Sequence, residues 1–178
     1  MPPTLPAFRY HPDPVATGNV KPADTACACC GEVRGYVYTS AVYGPDGLCG
    51  RLCPWCIVSG AAASKFDCLF SDERRLRRAK LPRAVVLEVT RKTPGFTAWQ
   101  GAAWEACCGD ACEFHGDATR EQVAAIADDA LDRHLARWGW DREYWSRYLE
   151  QYQPANGQSL FRFVCRHCRQ PTFALDLA

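Results

Sequence analysis

The sequence predicts an α+β fold with a zinc-ribbon-like N-terminal half, a helical middle and a C-terminal β-knuckle. Three observations predict it: β-rich runs between two Cys-x-x-Cys pairs, apolar residues at helical spacing after residue 119, and β-rich runs on both sides of a third Cys-x-x-Cys. We expect one compact domain over residues 1–178, with an arm and the ribbon-like region in 1–72 and the helical region and knuckle in 73–178.

Prolines recur through the N-terminal segment, from Pro2 to Pro22, and each fixes its own φ and favours extended backbone before it. We therefore predict an extended arm, held to the body by Phe8 and Tyr10. His11 is interpreted as a packed or surface histidine rather than a metal ligand.

Between residues 35 and 47 two short β-rich runs end in Gly-Pro-Asp-Gly, which predicts a strand or hairpin region with a turn. Pro54 suits the first position of a short helix after Cys53. The basic run at 73–83 favours a solvated helix face over a contact with phosphate or an acidic partner. After the break at 92–96 we expect a helix with Trp99 and Trp104 in the core.

Thr119 and Gln122 form a capping pattern, and apolar residues at helical spacing predict one helix up to Trp138. Gly139 should end this helix, and Asp141 should cap a second one with an aromatic stripe. The sequence then predicts strand, tight turn and strand, with Cys165 and Cys168 in the turn.

The composition is that of a globular chain, with 48% apolar residues and a formal net charge of +1, so bulk charge predicts no nucleic-acid partner. No run approaches 18 apolar residues and the first residues do not resemble a secretion signal, so we expect a cytoplasmic protein without a membrane partner. A reducing compartment favours metal binding over disulfides for the twelve cysteines.

Two Cys-x-x-Cys pairs, separated by the segment 31–52, have zinc-ribbon spacing, in which four thiolates hold one ion at about 2.3 Å. The predicted ligands are Cys27, Cys30, Cys53 and Cys56. Cys29 or Cys49 could replace one of them. The alternative is a redox pair at Cys53 and Cys56, but no thioredoxin-like alternation of strands and helices accompanies it.

Cys165 and Cys168 supply only half of a second tetrahedral site. If residues 107–115 are helical, Cys108 and Cys112 share a face, which gives the predicted set Cys108, Cys112, Cys165 and Cys168. Cys107, His115 or His167 could replace a member, and buried free thiols are the alternative to a site. Cys68 has no ligand spacing and is predicted to be a core residue. We expect two zinc ions rather than one.

No phosphate-binding loop, dinucleotide fingerprint, zinc-protease motif or nucleophile elbow occurs, so we expect a binding protein and not an enzyme. Nucleic-acid binding is a weaker expectation, because no basic stripe is interleaved with aromatic residues.

The segments YHPDP, CACCG, GYVY, LCPWCI, KTPGFTAWQ, CGDAC and the final Cys-x-x-Cys, in this order, resemble the CbrC family of bacterial proteins. The resemblance spans nearly the whole chain and assigns three Cys-x-x-Cys pairs, at Cys27 and Cys30, Cys53 and Cys56, and Cys165 and Cys168. The sequence departs from the family at Cys68 and Cys107, which argues against those two as ligands. The family's association with colicin tolerance implies an immunity or tolerance protein whose partner is a nuclease-type toxin.

Overall fold

The computed structural model describes residues 4–177 and confirms the α+β prediction, with short helices and small antiparallel sheets. The first half contains β1 (Val20–Pro22), β2 (Tyr36–Tyr38), α1 (Pro54–Val58), α2 (Ala61–Phe66), α3 (Arg74–Arg78) and α4 (Arg83–Lys92). The second half contains β3 (Ala106–Cys107), β4 (Asp110–Ala111), β5 (Glu113–Asp117), α5 (Arg120–Ala124), α6 (Asp128–Trp138), α7 (Arg142–Gln151), β6 (Gln158–Val164) and β7 (Pro171–Leu177). Within residues 4–177, every helix is too short or too polar to span a bilayer.

The predicted arm is attached to the body as expected, although its residues 1–3 lie outside the described residues. Phe8 and Tyr10 are buried, and the Tyr10 carbonyl accepts a hydrogen bond from the Phe114 N–H at 2.8 Å. His11 is fully buried, with Nδ1 donating to the Pro94 carbonyl at 2.8 Å. It is a packed histidine, as predicted.

The strand or hairpin region predicted for the ribbon-like half is present as a strand, β2. β2 pairs with β1, which precedes the first Cys-x-x-Cys, and Tyr38 forms an isolated antiparallel bridge with Leu52. These contacts bring the two Cys-x-x-Cys segments together without a regular hairpin between them. The helix predicted after Cys53 is present, with Pro54 at its first position.

Residues 97–105 form no helix, so the helix predicted there is wrong. The N–H groups of Trp99 and Gln100 donate instead to the Asp176 carboxylate, at 2.8 and 2.9 Å. Trp104 is fully buried as predicted, but the Trp99 side chain is 73% exposed. Gly95, before this segment, lies against the Phe70 carbonyl, where a Cβ atom would come within 1.7 Å of the oxygen.

The helix predicted from Thr119 to Trp138 is present as two helices, because the backbone is extended at Ala127. Val123 and Leu131, on either side of the break, pack in the same core cluster. The end signals are confirmed: Thr119 forms a capping box with Gln122, Gly139 ends α6 at φ 71°, and Asp141 caps α7.

Most buried apolar residues in the described part of the chain fall into three clusters. The first surrounds α1 and α2 and contains four cysteines. The second, between α4 and the β5–β6–β7 sheet, is rich in stacked and edge-to-face aromatic rings, among them Phe96, Trp104, Phe114 and Phe163. The third packs α5, α6 and α7 against the sheet. In that sheet β6 pairs along its whole length with β7, from Gln158 opposite Leu177 to Val164 opposite Pro171.

Candidate metal centres

Two groups of four cysteines, each with all its sulfur atoms within 4.8 Å of one another, occur among residues 4–177. The N-terminal tetrad is Cys27, Cys30, Cys53 and Cys56, and the C-terminal tetrad is Cys107, Cys108, Cys165 and Cys168. A tetrahedron of sulfurs at about 2.3 Å from a central ion has S–S edges of about 3.8 Å. Sγ–Sγ distances of 3.9 Å (Cys30–Cys53), 3.7 Å (Cys107–Cys108) and 3.9 Å (Cys107–Cys168) match this spacing. Each tetrad is close enough to hold one metal ion, and four thiolates are a donor set that is compatible with zinc.

In the N-terminal tetrad the first Cys-x-x-Cys forms a tight knuckle. The Cys27 N–H donates to the Glu32 carbonyl at 2.9 Å, and the Gly31 N–H donates to the Cys27 carbonyl at 2.7 Å. The turn needs a positive φ at the residue after the second cysteine, and Gly31 provides it at 80°. Inside the turn the Cys29 N–H points at the Cys27 sulfur, 3.4 Å away.

The C-terminal tetrad repeats this knuckle with the same hydrogen bonds. The Cys165 N–H donates to the Gln170 carbonyl at 3.0 Å, and the Arg169 N–H donates to the Cys165 carbonyl at 3.1 Å. Arg169 adopts the positive φ, 60°, that Gly31 has in the first knuckle. The Cys168 N–H lies 3.5 Å from the Cys165 sulfur. This knuckle is the turn between β6 and β7, as the sequence predicts.

The N-terminal knuckle is completed by the start of a helix. Cys53 is the residue before α1, and its carbonyl accepts the Cys56 N–H at 3.1 Å, so one turn of helix brings both sulfurs to the same side. The Cys53 N–H donates to the Cys27 sulfur at 3.2 Å, which joins the two pairs directly.

The C-terminal knuckle is completed by a hairpin, and this corrects the predicted helix at 107–115. β3 and β4 pair Cys107 with Asp110, and the two residues between them have positive φ, 51° at Cys108 and 74° at Gly109. Two consecutive positive φ values make a two-residue hairpin turn, which places two adjacent cysteines at the knuckle. Gly-Asp after the cysteine pair is turn chemistry, and it is the signal in the sequence that favoured a hairpin.

Cys107 is therefore the fourth member of the C-terminal tetrad, the place for which Cys112 was predicted. Cys112 follows β4, is fully buried in the aromatic cluster, and its carbonyl accepts the Trp104 indole N–H at 2.7 Å. Cys112 was predicted as a ligand from helical spacing, and without a helix that spacing does not bring its sulfur to the others. Cys107, which the resemblance argued against, is brought together with Cys108, Cys165 and Cys168.

The other candidate ligands lie outside both tetrads. Cys49 donates its thiol to the Thr39 carbonyl at 3.3 Å, and the Cys29 carbonyl accepts the Lys65 ammonium at 2.7 Å. His115 and His167 lie beside carboxylates, Glu113 at 3.5 Å and Asp110 at 3.2 Å. Cys68 is a buried core residue, as predicted.

The knuckle hydrogen bonds change the acidity of the thiols. Burial opposes ionisation of Cys27, but N–H groups of Cys30, Cys53 and Cys29 outweigh it and lower its pKa to about 7. Cys165 is also partly desolvated, yet N–H groups of Cys168 and His167 lower its pKa to about 6. One thiol of each tetrad is thus prepared as the thiolate that a metal requires.

Cys53, Cys56 and Cys107 resist ionisation in the absence of a metal cation. Burial is the largest cause at Cys53, where it raises the pKa to about 11, and at Cys107, where it raises the pKa to about 12 together with hydrogen bonds to neighbouring sulfurs. Burial also raises the pKa of Cys56. A nucleophilic redox cysteine at a helix start has a lowered pKa, whereas burial raises the pKa of both Cys53 and Cys56.

Charged side chains surround the C-terminal tetrad. Asp110, between the hairpin and the knuckle, accepts hydrogen bonds from the Tyr10 hydroxyl at 2.8 Å and from Arg166 at 2.9 Å. Burial raises the pKa of Asp110, but these bonds and those from Ala111 and His167 outweigh it and hold the pKa below the ordinary value. The carboxylate thus connects the arm, the hairpin and the knuckle.

The sequence comparisons place the chain in a family. The family model described as "Uncharacterised protein family (UPF0167)" matches residues 5–177. The chain belongs to the UPF0167 family. UPF0167 protein PA1536 of Pseudomonas aeruginosa is 43% identical over 177 residues, which cover 99% of each chain. UPF0167 proteins Mb2317 of Mycobacterium bovis and MT2352 of Mycobacterium tuberculosis are each 37% identical over 169 residues, covering 94% of this chain and 90% of theirs. No solved structure matches the chain.

Proposed function

We propose that this UPF0167 protein is a zinc-stabilised, non-enzymatic binding protein of the cytoplasm, with one zinc ion in each tetrad. The observation that carries the proposal is the convergence of two sets of four thiols, each at the spacing of a closed tetrahedral site. A closed site with four protein ligands has no position for water or substrate, so its role is to hold the chain together.

Metal content is the direct test of this proposal. Protein purified without chelator should contain about two zinc ions per chain by elemental analysis. A chelator should lower the melting temperature, because structural zinc contributes to the free energy of folding. Protein without zinc, but with a Cys53–Cys56 disulfide that exchanges with a dithiol, would support the redox alternative instead.

The narrower proposal concerns the partner. The resemblance to the CbrC family suggests an immunity or tolerance protein that neutralises a nuclease-type toxin. Metal cross-links support such a role, because a rigid surface loses little conformational entropy when it binds. Co-expression with a toxin encoded beside the gene should protect the cell and co-purify the pair. If the toxin is neither neutralised nor co-purified, the toxin partner is refuted. The zinc proposal is unaffected by that result.

A further inference from the structure

A cleft of about 780 Å³ lies between α2 on one side and α3 and α4 on the other. Its apolar lining includes Ala63, Leu69, Leu81, Val86 and Leu87. Ala63 belongs to the cysteine-containing cluster and Val86 to the aromatic cluster, so the cleft follows the line where these two cores meet. A concave apolar surface of this size can accept side chains of another molecule.

The rim of the cleft is strongly basic. It carries four cations, Arg77, Arg83, Arg91 and Lys92, and one acid, Glu73, a net of +3 in a chain whose total is +1. Two of the cations already have acidic neighbours: Arg77 is 2.8 Å from Glu73, and Arg91 is 3.3 Å from Asp67. Both pairs involve exposed side chains, and such pairs contribute little free energy.

Arg83 and Lys92 are the cations that remain available. Both are exposed, and neither lies within ion-pair distance of a carboxylate in the described part of the chain, residues 4–177. They stand at the two ends of α4, so two positive charges lie along one helix beside the apolar floor. Arg74, Arg75 and Arg77 of α3 are less free, because each is paired with a carboxylate.

We propose that this cleft docks an acidic, amphipathic segment of a partner protein, with its apolar side chains on the floor and its carboxylates at Arg83 and Lys92. The inference rests on the proposed function only in treating the molecule as a binding protein. Charge complementarity selects an acidic partner. The apolar floor, and a lining without aromatic rings on which bases could stack, favour a polypeptide over nucleic acid.

The test is a random peptide library displayed on phage and selected against the full-length, zinc-loaded protein. We expect enriched sequences that combine leucine-like residues with aspartate or glutamate. The enriched peptide, made synthetically with a fluorophore, should bind more weakly at high salt, because exposed charges are screened. The double variant Arg83→Glu/Lys92→Glu should weaken binding by about tenfold or more. Lys21→Glu, an exposed charge change on β1, should leave binding within about twofold.

Three results would overturn the proposal: no enrichment, an enriched sequence that binds the double variant equally well, or displacement of the peptide by a single-stranded oligonucleotide of similar charge. Zinc content is measured in the same samples. If the double variant keeps its zinc but no longer binds the peptide, the loss of binding comes from the changed cleft and not from a failure to fold. If wild-type protein contains no zinc as purified and still binds the peptide, the zinc proposal is refuted and the cleft proposal is supported.

Discussion

The two tetrads share one knuckle but differ in what surrounds them. Three of the four N-terminal cysteines are buried, and they belong to a core cluster made mostly of small and aliphatic residues. In the C-terminal tetrad only Cys165 is buried, and the site lies at the edge of an aromatic core. The same arrangement of four sulfurs therefore lies inside a core in one region and at the edge of a core in the other. We therefore expect loss of a metal to disturb the packing more at the N-terminal tetrad than at the C-terminal one.

The largest expected effect is at the N-terminal tetrad. Cys53→Ser should remove one zinc ion and destabilise the protein by about 4 kcal/mol or more, because three of the four ligands are buried inside a core. Elemental analysis and chemical denaturation measure the two effects. Cys49→Ser, a change at an exposed thiol outside the tetrads, should alter neither. Equal zinc content in Cys53→Ser and the wild type would contradict the assignment.

At the C-terminal tetrad we expect a smaller loss. Cys108→Ser should also remove one zinc ion, but it should cost only about 2–3 kcal/mol, because the aromatic core remains packed. Cys112→Ala is the informative control: it should retain both zinc ions despite a small packing loss. If Cys112→Ala loses a zinc ion and Cys107→Ser does not, the helical prediction for the ligands is right and the hairpin assignment is wrong.

The aromatic core also predicts a dependence on pH that does not involve zinc ligands. Burial lowers the pKa of His11 from 6.5 to about 4. Between these values the unfolded chain binds a proton that the folded chain does not, so stability falls as the pH drops below 6.5. The contribution of His11 amounts to about 2 kcal/mol between pH 7 and pH 5. His11→Asn should flatten the dependence of unfolding free energy on pH, and an unchanged slope would exclude this role.

The smallest expected effect concerns an ion-pair network beside the aromatic core. The buried carboxylate of Glu105 contacts Arg75 of α3 and lies 2.5 Å from Arg137 of α6. Glu105→Gln should cost about 1–2 kcal/mol, less than a fully buried pair because both arginines reach solvent. Glu143→Gln, which alters an exposed pair with Arg147, should cost less than about 0.5 kcal/mol. Denaturation midpoints of the two variants would separate these outcomes.

Local sequence patterns were sufficient to predict the helix caps, the helix that begins at Pro54 and the strands on both sides of the C-terminal knuckle. Each of these elements depends on a few adjacent residues. The hairpin at Cys107 and Cys108 was missed because α-helical spacing and turn chemistry competed there, and long-range pairing with the knuckle decides between them. The path of residues 97–105 could not be predicted either, since it depends on Asp176 in the last strand, far along the chain. That the whole chain is one domain stays a prediction.

The ligand positions also set an order of assembly during synthesis. The last N-terminal ligand is Cys56 and the C-terminal knuckle begins at Cys165, so more than half of the chain is made between the two events. At about 5–20 residues per second, the ribosome needs roughly 5–20 seconds to cover that interval. The first tetrad can bind metal before Cys165 and Cys168, the partners of Cys107 and Cys108, have been synthesised. If each tetrad binds zinc as proposed, a nascent chain passes through a stage with one loaded site and one exposed pair of thiols, and zinc supply and thiol oxidation then act on the second site alone.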